Sequence, residues 1–480
     1  MTAVDGRAVR TERRFAGQIT ATGTPARIDR SELATLQVRC MECGTVSPGD
    51  HPISLCPVCS GLLDAVIDTT TPITPASFGQ GLPPHLARSG VWRYRALLPA
   101  IPEAAIVTRG EGNTPFYVDD RLAAFAGLRA GSFGVKHEGH NPTGSFKDRG
   151  MTVGVSHAVA VGARIVACAS TGNTSASLAS YAAAAGIPAL VLIPEGKISG
   201  GKLAQTIAYG ARVVQIEGDF DIALRLLREL TSSHDVYLTN SVNPFRPEGQ
   251  KTIMLELFEQ LGWDVPDVIT VPGGNLGNTA AFGKAIDEAH AVGLIARKPR
   301  VITVQAAGAS PFARYFASGW RTYEPMHAET VATAIRIGDP VSTPRARRTI
   351  EQTNGNVTMV TDEEILDAKA LIDQVGIGCE PASAASLAGA RKLVAEGIIG
   401  PDESVVGILT GTVLKDTDAV MAYHLGDGSD GSDGSDGHRH ALANRPVRVD
   451  ATLDALARLL DTVIDAGPVA GEPDGPAGIA

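Results

Sequence analysis

Between about residues 76 and 424, short apolar runs alternate with Ala-rich or amphipathic stretches. The runs at 163–169, 188–193, 211–217, 236–240, 268–272, 300–306 and 404–409 are short and rich in β-branched residues, as buried strands should be. The segments at 174–185, 221–230 and 249–261 between them read as helices. Gly or Pro punctuates several element ends, at Gly186, Pro188, Gly210, Pro266 and Gly293. Such alternation predicts an α/β protein whose helices cover mostly parallel sheets.

The pattern changes at both ends. Residues 1–36 are polar and aperiodic. Arg7, Arg10, Arg13, Arg14, Arg27 and Arg30 are interleaved with Asp5, Glu12 and Asp29 and no apolar core follows, so a disordered arm is expected there rather than a transit peptide. Residues 37–75 hold two cysteine pairs among short β-like runs. Residues 76–424, which carry the alternating pattern, are expected to form the main body. Residues 425–445 include a Gly/Ser/Asp repeat, GDGSDGSDGSDG, that can bury nothing and is read as a flexible linker. In 446–480, Leu453, Leu456, Leu459, Leu460 and Val463 recur at helical spacing over residues 452–464, predicting a surface helix with a tail.

Composition narrows the function classes. The chain has 480 residues, 44% hydrophobic and 20% charged, enough for two or three packed lobes. A net charge of -10 without a basic block argues against nucleic acid. No apolar run has the length of a membrane span, and cysteine usage fits a reducing compartment; a cytoplasmic protein is expected.

The densest chemistry lies at residues 137–150, HEGHNPTGSFKDRG. Asn141 to Gly144 is turn chemistry, and Ser145 is read as the N-cap of a helix that carries Lys147 in its first turn. The helix dipole there opposes a cation, which suits an amine that must lose its proton to attack a carbonyl carbon. Two polar loops follow strands and open helices: Ser170-Thr171-Gly172-Asn173-Thr174-Ser175, and Pro272-Gly273-Gly274-Asn275-Leu276-Gly277-Asn278. Glycines there let backbone N–H groups approach an anion, as in a phosphate cradle. A reactive lysine beside a phosphate cradle is what a pyridoxal-phosphate site requires.

These motifs resemble the fold-type II pyridoxal-phosphate enzymes and, among them, the threonine synthase family. The likeness runs from about Arg109 to Asp416. It includes RGEGNTP from Arg109, SFKDRGM from Ser145, PEGK from Pro194, NSVNPFR from Asn240, EGQKT from Glu248, AIRIG from Ala334 and EPASAAS from Glu380. The lysine and glycine motifs alone also suit a threonine dehydratase or a cysteine-synthase-like enzyme, whereas NSVNPFR with AIRIG is more specific to threonine synthases. The resemblance implies a two-lobed homodimeric lyase acting on O-phospho-L-homoserine, with Lys147 holding the cofactor as a Schiff base and shuttling protons. It further implies that Asn173 bonds the cofactor's phenolic oxygen, that Gly274, Asn275, Leu276, Gly277 and Asn278 hold its phosphate, and that Thr410 meets the pyridine nitrogen. A neutral hydroxyl there leaves that nitrogen less firmly protonated than a carboxylate would. Arg246, with Asn240, Ser241 and Asn275, would grip the substrate phosphate, and Thr171 and Thr174 would face the substrate carboxylate. The sequence departs from the family at Thr412, Val413 and Asp339, where His, Gly and Asn are usual. Asp339 would repel a phosphate if it faced the pocket. A paralogous elimination or β-replacement enzyme is the alternative reading.

Cys40-Met-Glu-Cys43 and Cys56-Pro-Val-Cys59, twelve residues apart, have the double-knuckle spacing of a zinc ribbon, implying a structural zinc on four thiolates. Cys168 and Cys379 read as buried small hydrophobes. His137 and His140 read as hydrogen-bonded loop residues, Asp148 and Arg149 as locally ion-paired, and Lys202 and Lys251 as surface or lobe contacts.

Overall fold

A computed structural model describes residues 28–195, 200–217, 220–233, 236–425, 440, 442–444 and 446–466. Residues 1–27, most of the linker and the final tail lie outside them, as do the last two residues of the PEGK motif and the Lys202 side chain.

Three sheets are present among the described residues. The first is a small antiparallel ribbon of β1 (Gln37–Cys40), β2 (Val46–Pro48) and β3 (Leu63–Ala65), in the order β2-β1-β3. The second has six strands: β4 (Phe116–Val118), β5 (Phe133–His137), β10 (Val268–Pro272), β11 (Arg300–Ala306), β12 (Asn356–Val360) and β13 (Val405–Leu409). Their order is β12-β11-β10-β13-β5-β4, parallel throughout except for the antiparallel edge strand β4. The third is the parallel sheet β8-β7-β6-β9, built from β6 (Ile165–Ala169), β7 (Ala189–Pro194), β8 (Arg212–Ile216) and β9 (Val236–Leu238). Helices cover both parallel sheets, giving the expected two-lobed α/β body with a zinc-ribbon-like lobe. All seven strands expected in residues 163–409 occur there, and β10 and β11 keep their expected bounds.

Two strands had no clear apolar signal. In β5 all five residues are buried, including Lys136 and His137. Lys136 Nζ donates to Glu256 (2.6 Å), Gln260 (2.8 Å) and the Thr114 carbonyl (2.6 Å). A paired charge can therefore occupy a central strand that hydrophobicity alone would not find. β12, Asn356-Val-Thr-Met-Val, is of mixed polarity, with Val357, Thr358 and Val360 buried and Met359 exposed.

The ribbon is held to the body on two sides. The Gly49 carbonyl accepts from His157 Nε2 (2.7 Å), and the Ala65 carbonyl accepts from Lys284 (2.6 Å). Asp64 pairs with Arg345 (3.0 Å) and Arg348 (2.8 Å). Leu33 and Leu36, within the segment expected as a disordered arm, are buried in the core that the ribbon shares with the small lobe, the one built around the four-stranded sheet. The helix Leu453–Ala466 forms where expected, and Leu453, Leu456 and Leu460 on it are exposed.

In parallel sheets, ligand loops lie beyond the carboxyl ends of strands. Here β5, β6, β9, β10 and β13 run directly into residues 138–146, 170–172, 239–245, 273–276 and 410–416. These five loops lead directly into Lys147, Asn173 and Arg246, each the first residue of a helix, and hold the glycine-rich turn and Thr410.

Candidate active site

Lys147 opens the helix Lys147–Ala160, which is buried from Asp148 onward. The N-cap is Phe146 in helical geometry, not Ser145. Ser145 instead forms an antiparallel bridge with Gly411, and its buried hydroxyl has no partner among the described residues. Phe146 N–H donates to the Thr410 carbonyl (3.0 Å) and Thr412 N–H to the Gly144 carbonyl (3.0 Å). A two-stranded ladder thus ties the lysine loop to the end of β13. Lys147 Nζ lies 4.1 Å from the Phe146 ring centroid. Desolvation, reinforced by the Arg246 charge and opposed by Glu380, pushes its pKa down to about 7.

Asp148 and Arg149 make no ion pair with each other. Asp148 accepts from Thr143 N–H (2.6 Å), Thr143 Oγ1 (2.7 Å) and Ser177 Oγ (2.6 Å), and burial raises its pKa to about 6. Arg149 reaches across the core to Glu138 (2.7 Å) and Glu256 (2.8 Å). Lys251 is likewise no surface residue, being buried between Glu248 and Glu288 (2.6 Å each). His137 is hydrogen-bonded as expected, but it ends strand β5 instead of lying in a loop. Its Nδ1 accepts from Gly139 N–H (3.1 Å), leaving Nε2–H to donate to the Gly378 carbonyl (2.8 Å); His140 is exposed.

Arg246 begins the short helix Arg246–Gln250, held against the lysine helix by close backbone approach. An added Cβ on Gly249 would stand 1.7 Å from the Arg149 carbonyl oxygen. Arg246 is buried, donates once to the Thr239 carbonyl (2.8 Å), and leaves its Nε without a partner. Among the described residues no carboxylate pairs with it, so this is a buried cation in want of an anion. Desolvation lowers its pKa to about 10. Asn240, expected to grip the phosphate, is drawn into the scaffold: its carboxamide accepts from Ala169 N–H and donates to Ala169 C=O (3.0 Å each). Asn275 donates to Ser241 Oγ (2.8 Å) and accepts from Val341 N–H (2.7 Å), joining the glycine cradle to the small lobe.

The cradle leads into the helix Gly277–Ala291 through Leu276 in left-handed geometry (φ 60°). First-turn N–H groups have no partner within a helix and can face an anion. Asn278 Oδ1 is buried there without a partner, and Gly274 lies so close to Ile335 that a Cβ would come within 2.9 Å of its Cα. The AIRIG loop is thereby set against the cradle. Thr333 Oγ1 anchors the same loop to Asp416 (2.7 Å). Asp339 is exposed and accepts from the Tyr323 hydroxyl (2.7 Å). Thr171 and Thr174 are half-buried on either side of Asn173 at the start of the helix Asn173–Ala185.

Glu380 opens the EPASAAS motif, whose sequence alone assigns it no role. Its buried carboxylate accepts from Asn173 Nδ2 (3.0 Å) and from the Thr410 hydroxyl (2.9 Å). It joins two expected cofactor residues that are 237 positions apart (410 − 173). No local pattern announces such a junction.

The four ribbon sulfurs, Cys40, Cys43, Cys56 and Cys59, lie within 4.8 Å of one another, with Cys40–Cys59 at 3.4 Å and Cys43–Cys56 at 3.7 Å. Four thiolates at about 2.3 Å around one tetrahedral ion would be about 3.8 Å apart. Cys168 and Cys379 are buried, and burial pushes the Cys168 thiol up to about 12.

A lysine of lowered pKa just beyond a parallel strand, together with a glycine-rich loop that opens a helix, suits a pyridoxal-phosphate-dependent enzyme, and residues 107–411 match the family described as pyridoxal-phosphate dependent enzyme. The threonine synthase of Methanosarcina acetivorans is 46% identical over 422 residues, 87% of this chain and 97% of that protein. That of Methanocaldococcus jannaschii is 44% identical, covering 88% of this chain and 98% of that protein. The chain belongs to the threonine synthase family. A crystal structure of threonine synthase from Escherichia coli shares the fold with a TM-score of 0.63 at 19% identity, over 89% of this chain and 99% of that one.

Proposed function

We propose that the chain converts O-phospho-L-homoserine and water to L-threonine and phosphate, with pyridoxal phosphate bound at Lys147. The observation that carries the substrate is Arg246, a buried guanidinium with an unpartnered nitrogen and no carboxylate beside it. A phosphate monoester supplies such an anion in addition to the substrate's own carboxylate. The cofactor, when bound, supplies the electron sink that stabilises negative charge beside its imine carbon. The N–H groups in the first turn of the helix Gly277–Ala291, which have no partner within the helix, fit its phosphate, and Asn173 and Thr410, joined through Glu380, would meet its ring.

The protein's own residues do the rest. An amine whose pKa is about 7 is substantially free base at neutral pH, so Lys147 can take the α-proton and return a proton later. In the net reaction the β-carbon loses a proton, the γ-carbon–oxygen bond breaks and phosphate leaves, the γ-carbon gains a proton, and water adds its hydroxyl at the β-carbon and releases its other proton. Arg246 holds the departing phosphate in place, while Asn275 and Ser241 close the wall between the lobes. Asp339, engaged by Tyr323 at the surface, does not argue against an anionic substrate.

A structural zinc on Cys40, Cys43, Cys56 and Cys59 belongs to the same reading; four protein ligands leave no position open for catalysis. The decisive experiment incubates purified protein and cofactor with phosphohomoserine and measures phosphate and threonine. Product no greater than that of Lys147→Ala refutes the assignment, and keto-acid release without phosphate would favour a dehydratase.

A further inference from the structure

The hydrogen bonds around Thr410 can be assigned a direction by counting donors. Ser383 Oγ accepts from Thr410 N–H (2.8 Å) and Gly411 N–H (3.1 Å), which fills both of its lone pairs. Its own hydrogen must therefore go to Thr410 Oγ1, 3.0 Å away. The Thr410 hydrogen goes in turn to Glu380 Oε1 at 2.9 Å. Asn173 Nδ2, which can only donate, spans the same carboxylate at 3.0 Å and 3.3 Å. One lone pair on Thr410 Oγ1 is left over. Toward any further partner, Thr410 is an acceptor.

Glu380 cannot readily turn away. Its own N–H donates to the Gly411 carbonyl (3.1 Å), and a Cβ on Gly411 would stand 2.5 Å from the carboxyl carbon. The charged groups facing it are Lys147 and Lys415, with the Cys379 thiol beside it and Asp148 beyond Lys415. Burial raises the carboxyl pKa, while Asn173, Thr410, Lys415 and Lys147 all favour its charged form.

We propose that Glu380 is a positioning residue that fixes Thr410 as a hydrogen-bond acceptor, so that a pyridine nitrogen seated on Thr410 must carry a proton. This rests on the reading of Lys147, Asn173 and Thr410 as the cofactor site. It reverses the expectation from the hydroxyl alone, which left the nitrogen weakly protonated. The difference matters for the chemistry, because a pyridinium withdraws electrons far better than a pyridine. The side chain that decides it need not touch the ring.

The test is the 15N resonance of holoenzyme reconstituted with ring-labelled pyridoxal phosphate, since a pyridinium nitrogen resonates far upfield of a free pyridine nitrogen. Wild type should show the pyridinium signal. Glu380→Leu, which removes the acceptor and keeps water out, frees Thr410 to donate and should show the free pyridine signal. A free pyridine nitrogen in wild type would overturn the proposal, as would a pyridinium signal retained in Glu380→Leu. Should Glu380→Leu fail to fold, Thr410→Val decides. Loss of the pyridinium signal there supports the chain of bonds, and its retention overturns it. The cofactor reading fails separately, and takes the proposal with it, if wild type forms no visible absorbance band or Lys147→Ala forms the same one.

Discussion

Gly249→Ala puts one methyl group between the lysine helix and the helix of Arg246. The added Cβ would lie 1.7 Å from the Arg149 carbonyl oxygen and 2.9 Å from Gly150 Cα. An ordinary contact needs roughly 3.4 Å, so the two backbones must part by about 1.5 Å or more. Alanine's better helix propensity returns at most about 1 kcal/mol. Overpacking costs about 1–3 kcal/mol where side chains can adjust, and backbone on both sides of this contact places the cost at or above about 3 kcal/mol. A net loss of about 2 kcal/mol or more should appear as a lower urea midpoint with an unchanged slope. The functional effect should be larger than the stability effect. Arg246 rides on the displaced helix, and a misplacement of about 1 Å can cost about a hundredfold in rate. The assay is kcat/KM for phosphohomoserine beside the denaturation curve. A variant within twofold of wild type in kcat/KM, with an unchanged midpoint, would refute the claim that this contact positions Arg246.

Cofactor capture by the apoprotein should quicken with rising pH around a midpoint near 7, because the free-base amine attacks and burial has lowered the Lys147 pKa to about 7; stopped-flow absorbance would show it, and a midpoint near 10 would refute it. The sign of the stability effect follows from the same shift. The unfolded lysine holds its proton up to about 10.5, so wild-type apoprotein should gain stability relative to Lys147→Met as pH rises from about 7 to about 10. Glu256→Gln weakens the buried pairing of Arg149 and Lys136, both within 2.8 Å, and should cost about 3–5 kcal/mol in chemical denaturation. Elemental analysis should find about one zinc per chain in wild type and little in Cys40→Ser, with a lower melting temperature in the variant.

The site was legible wherever chemistry is written in consecutive residues. The SFKDRG run, the PGGNLGN loop and the cysteine pairs each carry their own turn and spacing. What sequence did not show depends on contacts between distant segments. Ser145 looks like a cap because serine so often is one, yet its backbone is occupied by a bridge to Gly411. Arg149 reads as half of a local ion pair, yet its partners are Glu138 and Glu256, and nothing near Lys136 in the chain announces the Glu256 it meets. Asn240 sits in a motif that suggests phosphate, and its amide is taken up by Ala169. Glu380 opens a matching motif, but its meaning lies in Asn173 and Thr410, which only the closed sheet brings together.

The order of strands in the six-stranded sheet sets a timetable for synthesis. β13, at residues 405–409, lies between β10 and β5, although the ribosome makes it last. Until it emerges, β5 pairs only with β4, and β10 presents an open edge to solvent. The ladder between the lysine loop and Thr410 cannot form either. A nascent chain ending before residue 405 therefore carries Lys147, the cradle and Arg246 with nothing to lock them, together with two apolar strand edges open to mispairing. Cofactor binding should appear abruptly in a series of stalled chains, once β13 has cleared the exit tunnel, and chaperone dependence should fall at the same length.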